Sequence, residues 1–555
     1  MVVVVLVAFY KFQSGSEMLE EVDKFRGANI KEDVFSPMIA QSVNSKRLIV
    51  SLNNHRYSNE QKDVYMSEQL NIMVTKKALM EGLRCSAHLY NKKTLLILQG
   101  DTEIEMVVDA KVMRVNGKDV KIESPVTLSK GRVYVPLQPL QRYLNFSLEW
   151  NMEKNKATAI TTLETSYLPS SFDLRNYERV GDVSDQGNFG TCWAFASLTA
   201  LESSMLPEEE MDFSADHMSM RNSFSSDQTR GGEYTMGMAY LTSWQGPVLE
   251  KDDPYGDHKS PDGLKAVKHV QEIQLMEEKD IDEIKEAVYK YGAVQTSLFF
   301  QPKNPNLYMK SWSSYYYKGQ NGVNHDIAII GWDDSFKADN FAMRPEGDGA
   351  FICQNSWGTD FGQEGIFYVS YYDSNIGSHS IFYTGIEDAD NYDNIYQSDL
   401  CGWGGQLGYN NKDDVYAANV FEANDNEVLS AVGFYAIGED TSYEVYVVPQ
   451  FDGVESLKEG WKVASGTKSK AGYYTVKLNS KMKVTKGEKF AVVLKIKTPG
   501  TDRPLAVEYQ KDGSSIVIDL TDGESYISPN GKRWESAEEN QKCNVCIKAY
   551  TNDLK

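Results

Sequence analysis

Hydrophobic and polar residues alternate in short runs over residues 46–162, and turn residues separate these runs. Examples are T-L-L-I-L-Q (94–99) and G-R-V-Y-V-P-L (131–137). A period of two is typical of strands that bury one face. The sequence therefore predicts a small β-rich domain before the middle of the chain.

The central part of the chain shows a helical period and then returns to strands. The segment D-I-D-E-I-K-E-A-V-Y-K-Y-G (280–292) has Asp280 and Glu283 at the spacing of a capping box, carries an apolar stripe and ends at Gly292. The next residues, A-V-Q-T-S-L-F-F (293–300), alternate as a strand does. Helices early and strands late in one segment favour an α+β arrangement.

After residue 391 the pattern contains short strands between Gly, Asp and Asn turns, without a helical period of any length. This pattern is typical of a β-sandwich. The sequence thus predicts a multidomain protein with four segments: a linker region (1–45), a small domain (46–165), an α+β domain (166–387) and a β-sandwich (392–555).

The chain starts with an apolar run, M-V-V-V-V-L-V-A-F-Y-K-F (1–12). This run is shorter than a membrane-spanning helix but has the length of an export-signal core. It lacks a basic start and a small-residue cleavage site, so we interpret it as the remnant of an export signal or membrane anchor. The alternative is a buried first strand.

Charge and cysteine content exclude some classes of protein. The 555 residues carry a formal net charge of −22 without a cluster of Lys and Arg, which disfavours nucleic acid as a partner. Six cysteines are too few for a disulfide-built scaffold. C-N-V-C (543–546) lacks the second pair that a zinc site needs, so its cysteines are expected in strands or in one bridge to Cys401. We expect no cofactor, while a calcium site in the C-terminal domain stays open.

Candidate chemistry begins with D-Q-G-N-F-G-T-C-W-A-F-A-S-L (185–198). The residues after Cys192 are apolar nearly all round and predict a buried helix, with Cys192 in its first turn. Unpaired N–H groups at a helix start favour a thiolate over a thiol. Taken alone, the segment fits a small buried cysteine that begins a core helix, which is the commoner case.

Two further blocks decide between these interpretations. N-H-D-I-A-I-I-G-W-D-D (324–334) and Q-N-S-W-G-T-D-F-G-Q-E-G-I-F-Y-V (354–369) follow Cys192 at about 130 and 160 residues, in the order and spacing of papain-like cysteine peptidases. Together with Q-G-x-x-G-x-C-W, they make residues 168–387 resemble that family. The resemblance implies a fold with a helical lobe and a β-rich lobe, and a cysteine peptidase activity.

The resemblance also assigns roles. Cys192 is the expected nucleophile, His325 the expected proton carrier and Asn355 the residue that orients the imidazole. Gln186 matches the donor that completes an oxyanion hole with the backbone N–H of Cys192. Trp357 matches the indole that shields the contact between His325 and Asn355.

The substrate-binding candidates come from the same resemblance. R-G-G-E-Y (230–234) is similar to the strip that hydrogen-bonds extended substrate, which gives Gly231, Gly232 and Tyr234, although an ordinary turn is equally compatible. Asp326 stands where the family has a small residue lining the pocket for the side chain second from the scissile bond. A carboxylate at this position favours a substrate with a basic side chain there. Phe189 and Thr191 replace a cysteine and a small residue of the family pattern, so the family's disulfide at this position is absent.

Both flanking regions resemble known domains. V-N-G-K-D-V-K-I … V-Y-V-P-L-Q (115–138) is similar to the copper amine oxidase N-terminal-like stalk domain, with Gln138 where that family has Arg. We expect no copper, because only His55 and His88 occur there. Residues 392–551 resemble the lectin-like domain of surface peptidases from Gram-positive anaerobes. Trp403, Trp461 and Trp534 are candidates for stacking on sugars or for the core.

These observations predict an exported cysteine endopeptidase of the surface or surroundings of a Gram-positive bacterium. Its partners would be protein or peptide substrates and, through the C-terminal domain, a glycan of the cell wall or host; an N-terminal membrane anchor is possible. The N-terminal region is predicted to be cleaved near Leu168. The alternatives are a non-catalytic adhesin, and a transpeptidase that uses the same thioester, since the triad does not determine whether water or an amine resolves it.

Overall fold

The computed structural model of the protein describes residues 32–151, 153–162, 167–224, 227–509 and 518–554. The predicted export segment lies outside the described residues. The chain divides into two compact units, Met1–Ser170 and Ser171–Lys555.

In the first unit, short helices accompany small sheets. The helices are α1 (Glu32–Asn44), α2 (Lys76–Gly82) and α3 (Leu137–Leu140), and the strands are β1 (Ile49–Leu52), β2 (His55–Ser58), β3 (Val64–Met66), β4 (Ile72–Thr75), β5 (Ser86–Tyr90), β6 (Thr94–Gln99), β7 (Thr102–Val107), β8 (Val112–Val115), β9 (Lys118–Lys121), β10 (Thr127–Ser129), β11 (Arg132–Pro136), β12 (Phe146–Asn151) and β13 (Lys156–Thr161). They form sheets in the orders β12-β13-β1-β2, β10-β11-β4-β3 and β5-β6-β7-β8-β9.

Gln138 has a structural role in this unit. Its carboxamide accepts a hydrogen bond from the Ile72 N–H at 2.8 Å and donates one to the Leu70 carbonyl at 3.1 Å, which fixes the turn before β4. His55 and His88 lie on β2 and β5. Across the described parts of the chain, no group of three or more His, Cys, Asp or Glu residues has the arrangement of a metal site.

The second unit contains helices α4 (Cys192–Met205), α5 (Ala215–Met220), α6 (Tyr234–Thr242), α7 (Ile281–Tyr291) and α8 (Ala537–Gln541). Its strands up to residue 388 are β14 (Ser171–Asp173), β15 (Lys268–Met276), β16 (Val294–Leu298), β17 (Tyr308–Met309), β18 (Ser314–Tyr315), β19 (His325–Asp333), β20 (Ala350–Gln354), β21 (Ile366–Ser370) and β22 (Ser380–Asp388).

The later strands are β23 (Asn394–Tyr396), β24 (Gly405–Leu407), β25 (Asp414–Glu422), β26 (Glu427–Ala436), β27 (Thr441–Val448), β28 (Trp461–Lys468), β29 (Ala471–Val484), β30 (Lys489–Lys497), β31 (Leu505–Tyr509), β32 (Ser525–Ser528), β33 (Glu535–Ser536), β34 (Cys543–Val545) and β35 (Ile547–Asp553). The multidomain architecture, with an α+β part and a C-terminal β-rich part, is the predicted one.

Helix α7 shows how local sequence sets an element. Asp280 is its N-cap and accepts hydrogen bonds from the N–H groups of Asp282 and Glu283, and Gly292 follows its last residue. The Glu283 carboxylate contacts Lys470 Nζ at 2.6 and 2.7 Å. The predicted helix is thus confirmed, and one carboxylate of its first turn ties it to the C-terminal region.

One continuous sheet joins the α+β part to the β-sandwich. Its strand order is β17-β18-β21-β20-β19-β16-β22-β15-β29-β26-β35-β23, so strands from both parts meet where β15 pairs with β29. Gln274 pairs with Gly472, and Leu275 with Ala471. A Cβ atom at Gly472 would lie 2.0 Å from the Ile273 carbonyl oxygen. Glycine therefore permits this close approach of the two strands.

Side chains from both parts fill a common core above this junction. Leu201 and Leu241, from the helices of the α+β part, share one hydrophobic cluster with Tyr435, Ile437 and Tyr473 of the sandwich strands. A second cluster, with Leu429, Phe434, Val445, Val492 and Leu494 among its members, fills the sandwich itself. Burial of apolar surface across the junction stabilises the attachment of the two parts.

The cysteines carry no disulfide. All six are free, and Cys543 lies in β34 while Cys546 lies between β34 and β35. The bridge to Cys401 considered as one alternative is therefore wrong, because the Cys401 thiol instead contacts the Ser223 carbonyl at 3.5 Å. None of the described helices is both long and apolar enough to cross a membrane.

Replacement of Gly472 by Ala is expected to lower the free energy of unfolding of residues 171–555 by roughly 2–4 kcal/mol, because the new methyl group overlaps the backbone of β15. Denaturant titration followed by tryptophan fluorescence measures this change. Gly487→Ala is the matched control, since Gly472 (φ +140°) and Gly487 (φ +73°) both have a positive φ but no heavy atom lies within 4 Å of the Cβ position of Gly487. Equal losses in the two variants would contradict a steric role of Gly472.

Candidate active site

The sheet brings the histidine and asparagine blocks together. His325 is the first residue of β19, and Asn355 follows the last residue of β20. Because β19 and β20 are antiparallel neighbours, the start of one lies beside the end of the other. His325 Nε2 contacts Asn355 Oδ1 at 2.7 Å. Two residues 30 positions apart in sequence thus form one hydrogen-bonded pair.

This contact determines the tautomer of the imidazole. Asn355 Oδ1 also receives a hydrogen bond from the Ser356 N–H at 2.9 Å, and a backbone N–H only donates. The atom is therefore the carboxamide oxygen, and His325 Nε2 must donate to it. In the neutral ring, Nδ1 is then unprotonated and available to accept a proton.

Aromatic rings cover the histidine. The Trp357 ring centroid lies 4.8 Å from that of His325, and Phe300 stacks on His325 at 5.3 Å with an interplanar angle of 10°. Phe300 also contacts Trp357 at 5.2 Å. His325 itself is 6% exposed. The shielding position of Trp357 agrees with its predicted place, whereas Phe300 was not predicted.

Cys192 is the first residue of α4, as the pattern predicted. The helix packs on β19 and β22 through a nearly all-apolar surface. The thiol is partly exposed, and the backbone N–H groups of Asp326, Trp193 and Cys192 itself interact with the sulfur. Contact with the N–H of Asp326 places the sulfur next to the residue that follows His325.

The protonation states of Cys192 and His325 differ from the thiolate that was predicted from the helix start. Burial, followed by the negative charge of Asp326, raises the pKa of the Cys192 thiol to about 12, although the three N–H groups lower it. Burial lowers the pKa of His325 to about 4, against the hydrogen bond to Asn355. The helix start alone does not produce a thiolate here. A thiolate requires the imidazolium as its partner, because each charge is otherwise too poorly solvated.

Gln186 is held by two contacts of its carboxamide. Its Nε2 donates to the Phe189 carbonyl at 2.6 Å, and its Oε1 accepts from Ser356 Oγ at 2.7 Å. The Gln186 N–H also donates to the Ser356 carbonyl at 2.8 Å. A carboxamide nitrogen carries two hydrogens, so one N–H of Gln186 remains for a further acceptor. Gln186 is therefore fixed to the loop that carries Asn355.

The residues that depart from the family pattern are built into this loop. Thr191 Oγ1 and the Tyr255 hydroxyl lie 2.6 Å apart, and the same hydroxyl donates to the Gln186 carbonyl at 3.0 Å. The Phe189 ring packs edge to face against His258 at 5.2 Å. Packing and hydrogen bonds thus hold the turn before Cys192 without a disulfide.

The glycine strip lies against the start of α4. A Cβ atom at Gly190 would lie 2.7 Å from the Gly231 nitrogen, and one at Gly232 would lie 2.4 Å from Trp193 Nε1. Gly231 has φ +78°, and Gly232 is exposed. Because these residues have no side chains, the strip can approach the helix that carries Cys192. Glycine is therefore required here for close packing as well as for the turn.

Asp326 lies in a buried polar cluster next to His325. Its carboxylate accepts from Gln295 Nε2 at 3.0 Å and from Ser297 Oγ, and Ser297 Oγ contacts His379 Nε2 at 2.7 Å. The Tyr234 ring stacks on His379 with centroids 4.5 Å apart. These contacts form a continuous polar row from the residue after His325 to the first residue of α6.

The electrostatics of this row are acidic. Burial raises the pKa of Asp326 to about 6, hydrogen bonds from Ser297 and Gln295 lower it, and the charge of Glu233 raises it. Burial lowers the pKa of His379 to about 4, so this histidine is neutral at neutral pH. Asp326 is the charged member of the row above a pH of about 6.

Sequence reasoning missed Phe300, Ser297, His379 and Tyr255. Phe300 and Ser297 belong to the segment recognised only as an alternating strand, and no local signal marks them as neighbours of His325. His379 and Tyr255 stand outside the three blocks. The pairing of β16 with β19, in which Ser297 is opposite Asp326, supplies the missing information.

Family models cover most of the chain. Residues 168–384 match the papain family cysteine protease, residues 395–551 the lectin like domain and residues 36–159 the copper amine oxidase N-terminal domain. Chicken (Gallus gallus) cathepsin K is 29% identical over 210 residues, which are 36% of this chain and 58% of the cathepsin.

Solved structures extend the similarity across two domains. A structure described as the cysteine protease and lectin-like domains of Cwp84, a surface layer associated protein of Clostridium difficile, has a TM-score of 0.62 and 27% identity, covering 71% of this chain and 90% of that one. A substituted form of the clostridial cysteine protease Cwp84 after propeptide cleavage has a TM-score of 0.63 and 28% identity, covering 69% of this chain and 99% of that one. Residues 168–384 are therefore a papain family cysteine protease domain, and the chain is a cysteine peptidase that joins this domain to a lectin-like domain.

Proposed function

We propose that the protein is an exported cysteine endopeptidase that uses Cys192, His325 and Asn355. The hydrogen bond from His325 Nε2 to Asn355 Oδ1 is the observation that carries the proposal, because it leaves Nδ1 of the neutral ring unprotonated and available to accept a proton. The Cys192 sulfur adjoins the Asp326 N–H, the peptide group directly after His325. These contacts support a site that combines a nucleophile, a base and the group that orients the base.

The reaction follows from these positions. The proton of the Cys192 thiol moves to His325 Nδ1, and the sulfur forms a bond to the peptide carbonyl carbon. The C–N bond then breaks, and the amine leaves with the proton from Nδ1. A water molecule then gives a proton to Nδ1, and its oxygen attacks the thioester carbon. The C–S bond breaks, and the Cys192 sulfur takes the proton back from Nδ1. The imidazolium stabilises the thiolate in the first step, and Asn355 keeps the ring in position.

Gln186 and the N–H of Cys192 are the donors for the oxyanion that forms at the carbonyl. The carboxamide of Gln186 is preorganised by Phe189 and Ser356, so it does not reorganise when charge develops. Phe300 and Trp357 limit the access of water to the imidazole. The two donors therefore stabilise the transition state, in which the oxyanion carries its charge, more than the bound substrate.

Substrate preference would be set by the row that contains Asp326. Gly231 and Gly232 would hydrogen-bond the substrate backbone, and the side chain second from the scissile bond would lie near Asp326 and Tyr234. A carboxylate with Glu233 nearby attracts a Lys or Arg side chain at this position.

Export, surface location and processing are parts of the same proposal. Cwp84 is described as surface layer associated and, in one structure, as cleaved from its propeptide. We infer by analogy that this protein acts outside a Gram-positive cell and is processed near Leu168. In the lectin-like domain, Trp461 is 65% exposed on β28, which makes it our candidate for stacking on a glycan.

A papain-type epoxide inhibitor is expected to add once to the full chain and not to Cys192→Ala, as measured by intact mass. A lone thiol with a pKa of about 12 reacts only at alkaline pH, whereas the pair with His325 supplies a thiolate at mildly acidic pH. Labelling at mildly acidic to neutral pH should therefore persist in the wild type and slow down in Asn355→Ala. Labelling no faster than that of an ordinary thiol would favour the adhesin alternative.

Gln186→Ala is expected to lower kcat by roughly 10²–10³-fold with little change in KM, because the donor acts on the developing oxyanion. Ser356→Ala is the matched variant: it removes only the hydroxyl that holds Gln186 Oε1, so its loss of kcat should be smaller. Near-UV circular dichroism checks that both variants fold. A full kcat in a folded Gln186→Ala variant would exclude this residue from the oxyanion hole.

Substrates with Arg at the second position before the scissile bond are expected to give a higher kcat/KM than those with Leu. The preference should weaken as pH falls through about 6, because protonation removes the charge of Asp326. In Asp326→Asn, the ratio of the two kcat/KM values should lose its pH dependence. Equal turnover of the two substrates by the wild type at mildly alkaline pH would end this hypothesis.

A further inference from the structure

A cleft of about 660 Å³ lies where the peptidase and lectin-like parts of residues 171–555 meet. From the peptidase part it is lined by Tyr234 of α6 and Leu275 of β15, and from the lectin-like part by Trp403, Arg503 and Tyr509. Its volume is that of a pocket that encloses a ligand of several linked groups. Neither part forms this cleft without the other.

The two sides of the cleft are held at a fixed distance. Leu275 pairs with Ala471 in the junction of β15 and β29, so a residue of the lining belongs to the strand that joins the parts. Tyr435, another lining residue, packs in the common core and its hydroxyl lies 3.0 Å from Thr242 Oγ1 of α6. A preorganised cleft loses little freedom when it binds a ligand.

The cleft continues from the substrate strip of the peptidase. Tyr234 lines the cleft and also stacks on His379, at the end of the polar row that begins at Asp326. The exposed residues Gly232 and Glu233 directly precede Tyr234. Gly231 and Gly232 form the strip to which the proposed function assigns the substrate backbone, and Gly232 lies against Trp193 at the start of α4. The cleft therefore adjoins the side on which the proposed function places the acyl part of a substrate.

Two charged residues line the cleft, and both are exposed. Among the described residues, neither Glu277 nor Arg503 forms an ion pair, and both line the cleft. Partial burial raises the pKa of the Glu277 carboxyl. The charges favour an occupant that offers a cationic group to Glu277 and an anionic group to Arg503.

We propose that the cleft binds the substrate segment that precedes the residue beside Asp326, with an acidic side chain at Arg503 and an apolar one at Trp403. This inference rests on the proposed function of Cys192. A polypeptide carries both charges and apolar groups along one chain, whereas a neutral sugar chain offers no charged group to Glu277 or Arg503. The lectin-like domain therefore contributes to cleavage specificity.

The test uses the full chain and three fluorogenic peptides with the same leaving group. A short peptide has two residues on the acyl side, and two long peptides have six, with Glu or Lys at the fourth and fifth positions. The wild type is expected to cleave the Glu peptide with a kcat/KM roughly tenfold above that of the Lys peptide. Arg503→Glu should reverse this order and leave the short peptide unchanged.

Arg533→Glu is the matched control, because Arg533 is an exposed residue of the same domain outside the cleft lining. It should keep the wild-type order. Equal kcat/KM for the two long peptides, or an unchanged order in Arg503→Glu, would overturn the inference while cleavage of the short peptide upholds the proposed function. Loss of binding of N-acetylglucosamine oligomers in Arg503→Glu, with unchanged peptide order, would identify a sugar site instead. If no peptide is cleaved in a Cys192-dependent way, both proposals fail.

Discussion

The pairing of β15 with β29 is the interaction on which the architecture of the second unit depends. It extends the sheet that carries His325 into the β-sandwich, and the side chains above it merge into one core. Inter-strand hydrogen bonds and apolar burial act in the same place, so the two parts stabilise each other. The lectin-like domain is therefore a fixed neighbour of the active site rather than a module on a flexible linker.

Desolvation is the second constraint, and it shapes the chemistry. Burial raises the pKa of the Cys192 thiol and lowers the pKa of the His325 imidazole, so it favours the neutral form of both groups. In the proposed mechanism, the ion pair needed for attack forms only by proton transfer between them, and aromatic rings cover the imidazole. Low solvation strengthens the attraction within the pair once it exists. The burial that disfavours a thiolate without a partner thus makes Cys192 reactive only when its proton is transferred to His325.

The sequence predicted what is locally encoded and missed what depends on long-range pairing. The N-cap at Asp280 and the helix start at Cys192 were predicted because capping and apolar periodicity act within a few residues. The contact of Ser297 with Asp326 depends on strand register, which no local pattern specifies. The sequence pattern also overestimated how strongly the helix start favours a thiolate at Cys192. The burial that opposes the thiolate follows from tertiary packing, which no local pattern specifies.

If the cleft binds substrate as proposed, the attachment of the two parts lets the peptidase contact more of its substrate than a single papain-like domain exposes. Tyr234 belongs both to the polar row beside His325 and to the cleft shared with the lectin-like domain. A substrate segment that extends along this path would contact Asp326 first and Arg503 later, so charges of opposite sign are read at successive positions. Since the cleft is already formed, binding energy from remote residues remains available to orient the scissile bond. The fused sheet thereby links the fold of the sandwich to the selectivity of the cysteine site.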